Sequence, residues 1–207
     1  MFDNDYTING KHATYLKFLA KKNSRDDDSP DNPKAARLFE RYIDVYMNAA
    51  VFGLLYSRTA KRDTTSDDRA RVYADAFSTE RENCVFLYRM VMLLDKTTEL
   101  TPEERVDRAF RYDTQPEKAE EFKKNMDLFH DYVRGGIEVM YEQFTDGCQT
   151  QDDYLSKTYE VMTTFKKELE GISYADELAK LIRYKYFMLR KEGEDVSDSN
   201  LDGIDFY

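Results

Sequence analysis

The sequence predicts an all-α fold, an irregular bundle of about six or seven helices, with a short helical arm at the N-terminus and a disordered acidic tail. Three observations lead there. Apolar residues recur at steps of three and four along most of the chain, strict apolar–polar alternation is missing, and several breaks carry helix-capping residues. No self-similarity at a spacing of about 20 to 50 residues marks a solenoid.

A chain of 207 residues can bury a core without disulfide or metal staples. The expected organisation is an arm and mobile acidic loop over 1–33, a helical domain over 34–191 and an acidic tail over 192–207. Sixteen Tyr and 13 Phe, with no Trp, suit helix packing and protein interfaces alike. Acidic residues exceed basic ones by 41 to 31, and the formal charge of −10 argues against general nucleic-acid affinity. No stretch reaches the roughly 18 apolar residues a membrane helix needs. No secretory signal opens the chain, and Cys84 and Cys148 are too few for a disulfide framework, so the cytoplasm is the expected location.

Taken in order, Asn9-Gly10 signals a turn, and Lys11 opens a short helix carrying Tyr15, Leu16, Phe18 and Leu19. Residues 21–32 are polar and turn-rich. Asp31-Asn32-Pro33 then offers a helix start. From Ala35 to Tyr56 the sequence predicts the organising helix, with Arg37, Glu40, Arg41, Asp44 and Asn48 in one polar stripe and an enclosed apolar second half. Gly53 in that half predicts close contact with another helix. Arg58, Lys61 and Arg62 follow its end. Residues 69–77 predict a short helix.

Ser78 to Glu82 reads as a cap for an apolar helix running to Leu94, expected to lie beside the first. Thr101-Pro102-Glu103-Glu104 is the clearest cap and opens a helix through Phe110. Pro116 restarts the chain into a long helix, 117–144, with Phe122, Met126, Phe129, Val133, Ile137, Met140 and Phe144 along one stripe. Gly135-Gly136 predicts a kink or division within it. Thr150 and Ser173 cap two further helices.

Candidates for chemistry are few. Arg89 interrupts the run Val85–Leu94; a guanidinium there needs a carboxylate, an anion or an exposed position with its stem over apolar neighbours, and Asp44 and Glu82 are the nearest candidate partners. Arg37, Arg41, Asp44 and Arg89 are therefore the candidate binding residues. A second group, Arg58, Lys61, Arg62, Arg69 and Arg71, forms a candidate basic patch. Asp127 and His130 have i, i+3 metal-ligand spacing, but the second pair that helical metal sites use is missing. Asp198 to Gly203 matches the opening of a calcium loop without its closing Glu. Arg134 beside Gly135-Gly136 offers an anion contact if the helix breaks there.

No cofactor, metal or catalytic residue is expected from these patterns. The leading expectation is a non-enzymatic helical interaction protein, an adaptor, regulator or assembly subunit with a protein partner and a tendency to self-associate. The alternatives are an accessory protein of a nucleic-acid-processing or defence system using the basic patch, and an enzyme whose Arg, carboxylate and Tyr side chains converge from several helices.

Overall fold

A computed structural model describes residues 1–20 and 38–170. Arg37, the loop expected over 21–32, the helix expected after Ser173, the Asp198–Gly203 motif and the tail lie outside the described residues. Residues 1–161 form one compact unit, and Met162 begins a second.

The chain is mainly helical, with seven α-helices among the described residues and one small sheet. The order is β1 (Tyr6–Asn9), α1 (Lys11–Leu19), α2 (Tyr42–Leu55), β2 (Arg69–Val72), α3 (Ala74–Thr79), α4 (Arg81–Leu94), α5 (Pro102–Phe110), a 3-10 turn (Pro116–Lys118), α6 (Ala119–Thr145) and α7 (Gln151–Glu170). No helix among the described residues is long and apolar enough to cross a membrane.

The two-stranded sheet corrects the reading of 69–77 as a helix. β1 and β2 pair antiparallel, Tyr6 opposite Val72 and Asn9 opposite Arg69. Ile8, Ala70 and Val72 point into the core, while Arg69 and Arg71, on the other pleat face, are exposed. Each strand has only four residues. Arg-Ala-Arg-Val in β2 alternates polar and apolar side chains, but over four residues only.

The organising helix starts later than its sequence predicts. The Phe39 amide donates to the Leu19 carbonyl at 3.1 Å, which holds this segment extended beside the end of α1. The Asp44 carboxylate then accepts from the Arg41 amide at 3.0 Å and caps α2. Glu40 and Arg41 therefore precede the helix, so of the expected stripe only Asp44 and Asn48 among the described residues lie on α2.

The centre of the 1–161 unit is the crossing of α2 and α6. Gly53 lies against the Tyr132 carbonyl, and Gly136 against the Ala49 carbonyl, so closely that a Cβ at either position would collide with backbone. Gly135 meets the Arg58 carbonyl in the same way. Instead of a break at Gly135-Gly136, α6 is continuous from Ala119 to Thr145; the glycines serve close approach. Around this crossing gather Tyr46, Tyr88, Phe77, Phe129 and Tyr132, with Phe77 and Phe129 both edge-on to Tyr46.

α1 is part of this packing. His12, Ala13, Leu16 and Leu19 are buried, and the helix lies on α6. Thr101 caps α5 as its sequence predicts, accepting from the Glu104 amide at 3.2 Å while Glu104 accepts from the Thr101 amide at 2.8 Å. Such a reciprocal cap contributes about 1 kcal/mol. Thr150 and Asp153 repeat the arrangement at the start of α7.

Candidate functional site

Three assemblies of polar or exposed side chains stand out. The first lies along α6. Asp131, Arg134 and Glu138, spaced by three and four, form a charged stripe that is buried under α1 and the segment after α2. Each has protein partners. Arg134 donates to Asp131, to the Ala60 carbonyl at 2.9 Å and to the Tyr6 hydroxyl at 2.6 Å. Glu138 accepts from Lys11 at 2.8 Å, His12 at 2.9 Å and Arg58 at 3.1 Å. Burial alone would raise the Glu138 carboxyl, but hydrogen bonds from Lys11, His12 and Arg58 hold it below the usual range. Burial also lowers His12, which favours its neutral form.

The second assembly closes the inner seam between α4 and α5. Asp95, fully buried just after α4, accepts from the Tyr132 hydroxyl at 2.7 Å, from Thr97 and Thr98 hydroxyls at 2.6 Å each, and from Arg108 at 3.2 Å. Arg108 is also buried and donates to the Met92 carbonyl. Burial would push the Asp95 carboxyl up, but its hydrogen bonds from Thr97, Thr98 and Tyr132 outweigh that and keep it well below the carboxylate range. Arg105 completes the seam by donating to the carbonyls of Asp95, Thr98 and Leu100.

The third assembly is the outer face of the same two helices. α4 turns Cys84, Tyr88, Val91 and Met92 into the core and leaves Phe86 65% and Leu94 56% exposed. Phe110 and Val106 of α5 extend the apolar surface at 45% and 43% exposure. Together with Val85, Met90 and Leu93, these helices form an open groove of about 660 Å³. Arg89 lies in it with its guanidinium 5.1 Å from the centre of the Phe110 ring, and its buried Nε has no hydrogen-bond partner. That stacking is the stem-and-face position open to an arginine in an apolar run.

The other sequence-derived candidates are scattered. Arg41 pairs with Asp44 at 2.6 Å and with Glu80 at 2.8 Å. No ion pair among the described residues joins Asp44 to Arg89. Arg58 and Lys61 are held by Glu138 and Asp131, Arg62 faces the Asn9 carboxamide, and Arg71 pairs with Asp5 at 3.5 Å. Arg69 and Arg71 line a separate open groove with Lys17 and Arg41, but Glu40 and Asp75 line it too. Comparison with protein-family models, curated proteins and solved structures finds no match to this chain.

The residues considered for metal or covalent chemistry have other roles. His130 stacks on Tyr6, ring centres 3.9 Å apart, and burial followed by the charge of Arg134 lowers it to about 3. Asp127 is exposed. No group of three or more His, Cys, Asp or Glu among the described residues has an arrangement that could hold a metal ion. Burial pushes the Cys84 thiol up to about 12, which disfavours the nucleophilic thiolate. Arg134, read as an anion contact, is occupied by Asp131, Ala60 and Tyr6.

Sequence reasoning missed the Asp95–Arg108–Tyr132 cluster. Asp95 follows an apolar run and Arg108 sits in a charged helix, so each resembles a surface charge. The outer face was hidden in another way: a run as apolar as Val85–Leu94 does not say which of its sides is enclosed.

Proposed function

We propose that this chain is a non-enzymatic protein-interaction module, an adaptor, regulator or assembly subunit whose docking surface is the outer face of α4 and α5. The carrying observation is an open groove whose lining exposes Phe86, Leu94 and Phe110 around Arg89. Isolated exposed apolar residues are ordinary, whereas a contiguous cluster with an aromatic and an arginine has the composition of an interface centre. An irregular helical bundle would present such a face rigidly, since α4 is fixed from behind by Cys84, Tyr88, Val91 and Met92. Two free cysteines suit work in the reducing cytoplasm.

The two alternatives draw less support. Four of the five cations in the proposed basic patch have polar protein partners, which weakens a phosphate-binding role. Arg89 and Asp44 have separate partners, so they do not build a shared polar pocket.

Photo-crosslinking in cells tests the docking reading. A photoreactive amino acid at position 86 is expected to give defined adducts, identified by mass spectrometry, that a probe at the exposed Tyr73 does not give. Leu94→Asp with Phe110→Asp should remove them. Absence of adducts at position 86, or the same adducts from both positions, contradicts the reading.

A further inference from the structure

Three charges line the outer groove, and of these Arg81 is engaged by Asp3 at 2.8 Å. Glu82 and Arg89 lie seven residues apart on α4 and line the same groove. Seven residues span about 10 Å along a helix, too far for the two to pair with each other. Glu82 is exposed, and no ion pair among the described residues engages either side chain. Val85 and Phe86 stand midway between them, and Phe86 is the most exposed apolar side chain of the groove.

A two-fold rotation about a point near Phe86 reverses the direction of α4 and exchanges the two charges. The acid of each copy then faces the base of the other. Parallel pairing in register would set Glu82 against Glu82 and Arg89 against Arg89, which costs energy on both sides. We infer that α4 packs antiparallel against α4 of a second copy of this chain, with Phe86 near the two-fold axis and Glu82 of each copy paired with Arg89 of the other. This rests on the docking reading above and identifies the occupant.

The pairing explains features that the isolated chain leaves open. Phe86, Met90 and Leu93 become covered, and Phe110 of each copy borders the seam. Arg89 keeps its position over Phe110 and gains a carboxylate for its guanidinium. The contact is isologous and closes at two copies. A surface of two short helices with a rim from α5 falls at the small end of specific interfaces, about 1,200 Å² in total. Area does not fix affinity, so self-association is sought up to about 500 µM.

Sedimentation equilibrium of the full chain tests this with a charge exchange. The wild-type protein is expected to dimerise, and Glu82→Arg or Arg89→Glu alone should weaken the dimer about tenfold or more by placing like charges opposite each other. An equimolar mixture of the two variants should associate as a heterodimer at close to wild-type strength, because each then supplies the charge the other needs. Unchanged thermal unfolding of both variants establishes that they fold. A wild-type chain that stays monomeric at about 500 µM, single variants that dimerise normally, or a mixture no stronger than its components each overturns the inference. Crosslinks from position 86 to a different protein, with a monomeric wild type, would sink the second copy as occupant while leaving the docking reading intact.

Discussion

Arg108 and Arg89 sit on opposite edges of the same helix pair and have opposite surroundings. Arg108, on the inner seam, is buried and bonded to Asp95, Thr98 and the Met92 carbonyl. Both arginines leave a buried Nε without a hydrogen-bond partner, but Arg89, on the outer face, lies over Phe110 with no carboxylate among the described residues on its guanidinium. A charge enclosed by its own fold is matched by that fold, because an unmatched buried ion costs several kcal/mol. A charge left incomplete beside exposed apolar side chains fits a surface completed by another molecule. The same contrast separates the α6 stripe of Asp131, Arg134 and Glu138, which is fully engaged, from Glu82 on α4.

Substitutions on the two edges should therefore separate folding from association. The largest effect is expected from Asp95→Ala, which strands Arg108 and removes the acceptor for Tyr132, Thr97 and Thr98. Chemical denaturation should show a loss of about 3–5 kcal/mol. A loss below about 1 kcal/mol would mean that the seam is not what fixes α5 to α4.

Acid should act next, and from the interior. The folded state holds His130 at about 3, below the ordinary histidine value near 6.5. Its contribution is complete above about pH 6.5 and falls as pH drops toward 3, because the unfolded chain takes up the proton first. The slope is at most about 1.4 kcal/mol per pH unit for one such group. Burial lowers His12 as well and gives it the same sign. Asp95 and Glu138, whose carboxyls are depressed, add a further loss once pH falls below about 4. Thermal unfolding across this range should show His130→Gln flattening the segment between pH 6.5 and 4; an unchanged slope would remove His130 from the explanation.

Tyr132→Phe should cost about 1 kcal/mol by denaturation, since Asp95 keeps its threonine and arginine donors. The smallest change in stability is expected on the outer face, where Phe86→Ser should stay within about 0.5 kcal/mol of the wild type. A large loss there would make Phe86 a folding residue and blur the contrast between the two edges.

Much of the fold was legible because helix periodicity and caps are local. The stripe from Phe122 to Phe144, the Thr101 cap and the contact-making role of Gly53 can be read from neighbouring residues. What escaped depends on distant partners. β1 and β2 lie some 60 residues apart in sequence, and the alternation in Tyr-Thr-Ile-Asn and Arg-Ala-Arg-Val spans only four residues each. The start of α2 is set by Leu19 and Asp44, not by the Pro33 signal. At the candidate site, Arg89 was legible as a candidate binding residue, yet its anticipated partner Asp44 is engaged by Arg41. Asp95 and Arg108 gave no local sign, because their burial follows from how α5 folds back on α4.

Arg89→Met and Arg108→Met, measured side by side for unfolding free energy and for sedimentation, test the division between the two edges most directly. Arg108→Met should lose about 3 kcal/mol or more of stability. Arg89→Met should keep wild-type stability within about 0.5 kcal/mol and weaken self-association, though by less than the charge reversal Arg89→Glu. Equal destabilisation by both substitutions, or undiminished association of Arg89→Met, would contradict the assignment of the inner edge to folding and the outer edge to docking.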